Sequence, residues 1–262
     1  MALLDLKGVT LGFAGNTVLS DVNFAVAEGV IASLIGPNGA GKTSLFNCIT
    51  GFYKPQRGAI RFDGAETLTL KPWQVTRTGI ARTFQNVRLF RQMSVLENVM
   101  SGQHCRSRAG AIAAVLRLPS QRAEEKRIRD AAAQCLRFVG IDPEEWDRDA
   151  TTLAYGHQRR VEIARALATE PKLLLLDEPA AGLTKGEKAE LVTLIARIRD
   201  QRKIAVLLIE HDTSLVMSIS ERVSVLDHGV MIAEGSPKEI QANPRVIEAY
   251  LGSEDAEAAL AL

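Results

Sequence analysis

A glycine-rich run near the start of the chain has the residue types and spacing of a phosphate-binding loop. Residues 36–44 read Gly-Pro-Asn-Gly-Ala-Gly-Lys-Thr-Ser and match the pattern GxxxxGK[ST]. A strand-like apolar run precedes the loop and a helical pattern follows, so backbone N–H groups and a helix N-terminus can face phosphate oxygens. Lys42 offers a point charge to the β- and γ-phosphates of ATP, and the Thr43 hydroxyl offers a hard oxygen to Mg²⁺. The candidate nucleotide-binding residues here are Gly36, Asn38, Gly39, Ala40, Gly41, Lys42, Thr43 and Ser44.

Two adjacent carboxylates close a second apolar run, four leucines followed by Asp177 and Glu178. Ligands of open α/β sheets bind at the carboxyl ends of the strands, and this pair ends such a strand. Adjacent residues of an extended chain point to opposite sides, so the two acids should have separate roles. Asp177 is the candidate metal ligand, and Glu178 is the candidate general base that polarises water.

The elements that must position these residues alternate between short apolar runs and helical patterns. This alternation predicts a mainly parallel sheet covered by helices, and residues 4–13 and 57–63 favour an antiparallel edge layer. Residues 93–169 instead carry long helical patterns, which predicts a helical subdomain inserted between core segments of about 1–92 and 170–252. Residues 253–262 form an acidic, alanine-rich tail that we expect to be loosely ordered. The candidate strands are residues 30–35, 59–62, 80–83, 172–177, 204–209 and 223–226.

Composition narrows the function classes further. Lys and Arg total 32 against 31 for Asp and Glu, so the net charge gives no indication of a nucleic-acid partner. The cysteines, Cys48, Cys105 and Cys135, form no CxxC pair, which argues for a reducing compartment and against a zinc site. The sequence has no signal-peptide pattern and no apolar run near the ~20 residues of a spanning helix, so a transport role would need a membrane partner.

The pattern of residues 106–121 favours a helix that packs on the inserted subdomain over an amphipathic membrane-surface segment.

Around these two motifs the chain resembles the nucleotide-binding domains of ABC transporters, from about Leu4 to Gly252. Gln85 matches the Q-loop glutamine of that family, which touches metal and water, and His211 matches its switch histidine. Phe13 stands where the family places an adenine-stacking aromatic, with simple core packing as the alternative. The resemblance implies an α/β P-loop NTPase fold: a RecA-like core with a mainly parallel sheet, an antiparallel β edge layer and an inserted helical subdomain.

Residues 153–160, Leu-Ala-Tyr-Gly-His-Gln-Arg-Arg, occupy the family's signature position and depart from its commonest form, LSGGQ. In the family this signature segment faces the γ-phosphate held by the opposite subunit, so Ala154, Tyr155, Gly156 and His157 are candidate nucleotide contacts in trans. The hydroxyl absent at Ala154 removes a hydrogen bond of about 1–3 kcal/mol. We hypothesise that His157 titrates near the phosphates and makes turnover pH-dependent. Thr184 replaces the Asp that many members carry after the catalytic acid, so contacts of that segment between subunits can differ.

Several segments resemble one branch of the family, the ATP-binding subunits of bacterial branched-chain (hydrophobic) amino-acid importers. They are residues 79–85, 153–156, 159–165, 178–183 and 249–252. The resemblance implies a head-to-tail dimer with a second ATPase subunit, a paralogue or a copy of itself, on two integral-membrane permease subunits. It also implies that this chain lies at the cytoplasmic face of the bacterial inner membrane, held there through the permeases. A periplasmic substrate-binding protein would be an indirect partner.

Other functions stay open at this point. Relatives in the same branch carry urea or short amides, and a sister group drives lipopolysaccharide export. A soluble ABC ATPase, such as an iron–sulfur assembly factor, is a further alternative. Residues 86–94 mix apolar and basic side chains and are the candidate contact with the permeases, with core packing as the alternative.

Overall fold

The computed structural model describes residues 2–105 and 119–251. Its strands fall into two sheets. In the described part of the chain they are β1 Ala2–Phe13, β2 Asn16–Ala27, β3 Ile31–Ile35, β4 Arg57–Phe62, β5 Ala65–Glu66, β6 Ile80–Arg82, β7 Leu173–Asp177, β8 Ala205–Ile209, β9 Arg222–Asp227 and β10 Val230–Gly235.

The α-helices of the same residues cover the sheets or build the inserted segment. They are α1 Lys42–Ile49, α2 Pro72–Thr78, α3 Val95–Ser101, α4 Pro119–Val139, α5 Tyr155–Leu167, α6 Lys185–Arg202, α7 Thr213–Ile219, α8 Pro237–Gln241 and α9 Pro244–Leu251. Among the residues that the structure describes, none of these helices combines the length and apolarity needed to cross a bilayer.

The larger sheet has the strand order β10-β9-β3-β8-β7-β6. All neighbours pair in parallel except β10, which runs antiparallel to β9 at one edge. Strands β3, β7 and β8 are buried along their whole length, as expected for parallel strands covered on both faces. The carboxyl ends of five strands therefore meet at one edge of the sheet, where the sequence motifs lie.

The smaller sheet is antiparallel, in the order β2-β1-β4-β5. Its apolar side chains share one hydrophobic cluster with helix α1 and the larger sheet. Within that cluster Leu45, Phe46 and Ile49 of α1 are fully buried, which fixes the helix that follows the phosphate loop.

The chain divides into two compact units, with boundaries after Arg82 and before Lys172. Both sheets belong to the first unit, and the second unit, Thr83–Pro171, packs α3, α4 and α5 together. Sequence patterning put the start of the inserted segment near residue 93. The observed boundary is earlier because the Phe84 and Gln85 carbonyl groups accept hydrogen bonds from Arg159 on α5.

The fold class is confirmed: a P-loop α/β core with a mainly parallel sheet and an antiparallel layer. All six candidate strands occur, each within two residues of its predicted ends. Strands β2 and β10 were missed because their exposed faces interrupt the apolar pattern, and β5 was missed because it has only two residues, both exposed. The predicted apolar face of α4 is buried at Ala132, Cys135, Leu136 and Val139. Residues 106–118 and the tail after residue 251 lie outside the described residues.

Candidate functional site

The phosphate loop joins β3 to α1 and curls around the ammonium group of its own lysine. Lys42 Nζ donates to the carbonyl oxygens of Gly36 at 2.6 Å and of Pro37 at 2.9 Å. Asn38, Gly39 and the Thr43 side chain at the start of α1 are exposed. The lysine charge is thus held in the concave side of the loop, where a phosphate can replace carbonyl oxygens as its partner.

Two glycines of the loop cannot be replaced without strain. Gly36 has a φ of +148°, and a Cβ there would overlap the carbonyl oxygen of Leu226 on the neighbouring strand β9. Gly41 has a φ of +104°, and its Cβ would lie 3.0 Å from the Val18 carbonyl oxygen. The loop therefore needs glycine both for its backbone angles and for the close approach of adjacent strands.

Asp177, Glu178 and His211 lie at the carboxyl ends of two neighbouring strands, β7 and β8. Asp177 pairs with Ile209 at the last position of the β7–β8 ladder, and β8 lies between β7 and β3. Because these strands are parallel, Glu178, His211 and the phosphate loop all follow carboxyl ends at the same sheet edge. The sequence motifs are brought together by this order of strands.

Glu178 and His211 are in direct contact. Glu178 Oε1 lies 2.8 Å from His211 Nε2, with 15% of the Glu178 side chain and 40% of the His211 side chain exposed. Glu178 has a φ of +47°, a left-handed conformation that is unfavourable for a residue with a Cβ, and its N–H donates to the Ile209 carbonyl at 2.9 Å. A solvent-reachable carboxylate held by an imidazole suits activation of a water molecule.

Asp177 is fixed by an arginine that the sequence motifs did not single out. Arg82 Nη2 lies 2.7 Å from Asp177 Oδ2, and Arg82 Nη1 lies 2.7 Å from Asn47 Oδ1 of α1. The Arg82 guanidinium also stacks over the Phe46 ring at 5.4 Å. The signal available in sequence was a lone cation at the end of an apolar strand, three residues before Gln85.

Glu210 is a second charged residue that the motifs did not assign. It follows β8 directly, is 5% exposed, and accepts the Ala180 N–H at 2.7 Å and the His211 N–H at 3.1 Å. Burial raises its pKa and the nearby Glu178 charge adds to that rise, while backbone N–H groups of Ala180, His211 and Asp212 oppose it. Its position beside His211 in sequence was the available signal.

The oxygen donors near the loop suit a magnesium ion that arrives with a nucleotide. They are the exposed hydroxyl-bearing residue Thr43 and the carboxylate of Asp177. Within the described residues no group of three or more His, Cys, Asp or Glu side chains offers a cage for a metal. Magnesium keeps much of its shell as water and phosphate oxygen and needs only one or two protein oxygens, so this sparse donor set fits it.

Phe13 and Thr184, which the family resemblance singled out, each make a defined contact within this chain. Phe13, 46% exposed at the end of β1, packs edge-to-face against Tyr53 with ring centroids 5.1 Å apart, which leaves its other side available to a flat ligand. Thr184 accepts the Glu187 N–H and caps α6, so its hydroxyl is engaged within its own subunit.

The signature segment begins α5 in the second unit. Ala154 is the N-cap of that helix and has no side-chain capping bond, so the first N–H groups of α5 are not satisfied by their own cap. Tyr155 is exposed and Gly156 is buried. His157 Nδ1 lies 3.1 Å from Glu145 Oε2 in the same unit, and its titration near phosphates stays a hypothesis.

The Q-loop backbone is hydrogen-bonded to the same helix. Arg159 Nη1 and Nη2 donate to the Phe84 and Gln85 carbonyl oxygens at 2.7 and 2.6 Å. Arg159 also pairs with Glu162 at 2.8 Å, and both side chains are 1% exposed. Burial raises the pKa of Glu162, and the Arg159 charge opposes that rise. Gln85 and the signature segment thus belong to one packed unit.

Comparison with known proteins decides the family. Residues 19–181 match the family model described as ABC transporter, and residues 230–256 match the model described as Branched-chain amino acid ATP-binding cassette transporter. This chain belongs to the ABC transporter family. It is therefore a nucleotide-binding ATPase of the ATP-binding cassette class, as its sequence motifs predicted.

The ABC cassette has similar relatives over nearly its whole length. It is 47% identical over 250 residues to the high-affinity branched-chain amino acid transport ATP-binding protein BraF of Pseudomonas aeruginosa, covering 95% of this chain and 98% of that protein. The high-affinity branched-chain amino acid transport ATP-binding protein LivG of Escherichia coli K12 is also 47% identical. That match covers 95% of this chain and 98% of the LivG protein.

Solved cassettes share its fold. An ATP-binding cassette of an ABC transporter in its ADP conformation superposes with a TM-score of 0.83 at 31% identity, covering 97% of this chain and all of that one. A bacterial ABC transporter cassette solved as a dimer superposes with a TM-score of 0.75 at 26% identity, covering 89% of this chain and 98% of the other.

Proposed function

We propose that this ABC cassette is the ATP-hydrolysing subunit of an importer of branched-chain, hydrophobic amino acids. The observation that carries its catalytic part is the 2.8 Å contact between Glu178 and His211 at the sheet edge that also bears the phosphate loop. The carboxyl-terminal family match and the names of the 47%-identical relatives support the amino-acid cargo over urea, short amides or lipopolysaccharide.

Each residue at the sheet edge has a distinct part in hydrolysis. Lys42 neutralises the β- and γ-phosphates, while backbone N–H groups of the phosphate loop orient them. Thr43 and Asp177 would hold Mg²⁺, which when bound neutralises charge on the phosphate oxygens. Glu178 accepts a proton from the attacking water, and His211 fixes the Glu178 carboxylate by the contact between Oε1 and Nε2.

Gln85 and the signature residues Ala154–His157 lie in the second unit, and we assign them to the working of the assembled transporter. From the family resemblance, Gln85 would respond to bound metal and water, while Ala154–His157 would contact the γ-phosphate bound by a second ATPase subunit, head to tail. The N-terminus of α5 can bind an anion through backbone N–H groups, so the absent serine hydroxyl weakens this contact without abolishing it. The relative solved as a dimer supports this arrangement.

The catalytic part is tested with two variants of the purified chain. Lys42→Ala should bind ATP at least about tenfold more weakly, since it loses a charge-assisted contact. Glu178→Gln should keep wild-type ATP affinity and lose turnover by about a hundredfold or more. Exposed Lys238→Ala, on helix α8, is the matched control and should change neither quantity. Normal hydrolysis by Glu178→Gln would reject the general-base role.

The cargo and the partners are tested in cells. Deleting the gene should abolish high-affinity uptake of labelled leucine, and the wild-type chain should restore it while Glu178→Gln should not. The chain should copurify with two integral-membrane permease subunits at the cytoplasmic face of the inner membrane. Unchanged leucine uptake with impaired urea uptake would support the urea alternative. Copurification with soluble proteins alone would support an assembly factor.

A further inference from the structure

Glu210 joins two loops that carry different parts of the site. Its Oε1 accepts the N–H of Ala180 in the turn after Glu178, and its Oε2 accepts the N–H of His211. The two contacts measure 2.7 and 3.1 Å, and the side chain is 5% exposed. One buried carboxylate therefore connects the turn after β7 to the loop after β8.

These contacts involve the same two loops that carry Glu178 and His211. The Glu178 N–H donates to the Ile209 carbonyl, and the Glu178 carboxylate meets the His211 ring. Glu178 also keeps a left-handed φ of +47°. A strained backbone of this kind persists only where surrounding contacts determine it. Glu210 supplies such contacts, one to the turn that follows Glu178 and one to the His211 backbone.

A carboxylate suits this position better than a neutral acceptor. Both of its oxygens accept and neither carries a hydrogen, so it can receive fixed N–H groups from two loops at once. A glutamine has a single oxygen and must turn its NH₂ group towards one of the donors. A threonine is too short to span both loops. Burial of the charge costs desolvation energy and raises the pKa of Glu210, and the backbone N–H groups of Ala180, His211 and Asp212 offset part of that cost.

We propose that Glu210 is a positioning residue that locks the Glu178 turn and the His211 loop in one arrangement, so that base and histidine face the same γ-phosphate. The proposal rests on the proposed roles of Glu178 and His211. The Glu210 side chain accepts the N–H groups of Ala180 and His211, which belong to loops other than the phosphate loop, residues 36–44. Loss of the lock should therefore lower kcat and leave ATP affinity unchanged, as for an interaction needed only in the transition state.

The experiment compares Glu210→Gln with Glu234→Gln, a matched control on β10 whose exposed side chain pairs with Arg222 at 3.0 Å. In Glu210→Gln, kcat should fall about tenfold, the equivalent of one hydrogen bond, while the Kd for ATP stays within about twofold. Hydrogen exchange of the Ala180 amide should accelerate about tenfold for the same reason. Glu234→Gln should alter none of these quantities.

Wild-type kcat in Glu210→Gln overturns the proposal. A lowered kcat with unaltered Ala180 exchange also overturns it, because the effect would not pass through the lock. If Glu210→Gln does not fold, Glu210→Asp keeps both acceptor oxygens one methylene further back and is judged by the same criteria. The general-base role of Glu178 is tested separately, by turnover of Glu178→Gln. Hydrogen exchange of the Ala180 amide does not depend on hydrolysis, so it tests the positioning role even if the general-base role fails.

Discussion

Arg82 and Asp177 form a buried ion pair, with Arg82 Nη2 and Asp177 Oδ2 2.7 Å apart and 6% and 5% of the two side chains exposed. Arg82 also donates to Asn47 of α1, so the pair connects β6, β7 and the helix that follows the phosphate loop. The acid predicted to bind metal is thus also a structural anchor of the core.

Removing Asp177 should therefore destabilise the protein without any nucleotide present. Asp177→Ala leaves the Arg82 charge buried and should lower the free energy of unfolding by about 3 kcal/mol in a urea titration. Glu234→Ala, which breaks the exposed pair with Arg222, should cost less than about 1 kcal/mol. Equal costs for the two variants would contradict the anchoring role of Asp177.

A methyl group at Gly36 should disrupt the phosphate loop. Gly36→Ala places a Cβ against the Leu226 carbonyl at a φ of +148°, so we expect a loss of about 2 kcal/mol or more in stability and weaker ATP binding. Gly186→Ala is the control, because its Cβ would meet nothing within 4 Å inside α6. That change should stabilise by about 0.5–1 kcal/mol. Thermal melting and ATP titration measure both effects.

Phe13 should contribute to nucleotide affinity through its exposed ring. Phe13→Ala should raise the Kd for ATP about tenfold, since stacking of a base on an aromatic ring contributes about 1–3 kcal/mol. Phe52→Ala removes an equally large side chain, 54% exposed, and is the control. If both variants bind ATP like the wild type, Phe13 serves only packing against Tyr53.

The buried pair of Arg159 and Glu162 should behave non-additively. Arg159→Met or Glu162→Leu alone leaves a buried charge without its nearest partner of opposite charge and should cost about 3 kcal/mol. The double variant should lose clearly less than the sum. In a Trp73→Phe background, Trp146 fluorescence reports unfolding of this unit. Additive losses would mean that the two side chains stabilise the unit independently.

Asp212 should give the protein an acid-sensitive contribution to stability. The Lys188 ammonium group lies 2.7 Å from the Asp212 carboxylate and lowers its pKa. The backbone N–H groups at the start of α7, which Asp212 caps, lower that pKa further. A lowered folded-state pKa stabilises above the unfolded-state value, near 4, and the gain is lost as pH falls through the folded-state pKa. Asp212→Asn should thus be less stable than wild type at pH 7, and the gap should close below about pH 4. A gap in unfolding free energy that is constant with pH would refute this.

Sequence alone predicted the motifs and the strands that bear them, because local spacing encodes both. The phosphate loop and Asp177–Glu178 could be assigned for that reason, and His211 through the resemblance to the family. The order of strands that brings them to one sheet edge was found only in the structure. Arg82 and Glu210 could not be assigned. Their importance depends on contacts across 95 and 30 residues of chain, which no local pattern reveals. Strand β2 was missed because its solvated face breaks the apolar period.

At position 178 the backbone conformation and the catalytic role favour different residue types. A φ of +47° is easiest for glycine and tolerable for asparagine, while a carboxylate on a long side chain is what water activation needs. In a library of every substitution at this site, sorting cells by protein abundance should enrich glycine and asparagine. Sorting the same cells by growth on limiting amino acid should deplete both, so abundance and fitness would rank the variants in opposite order.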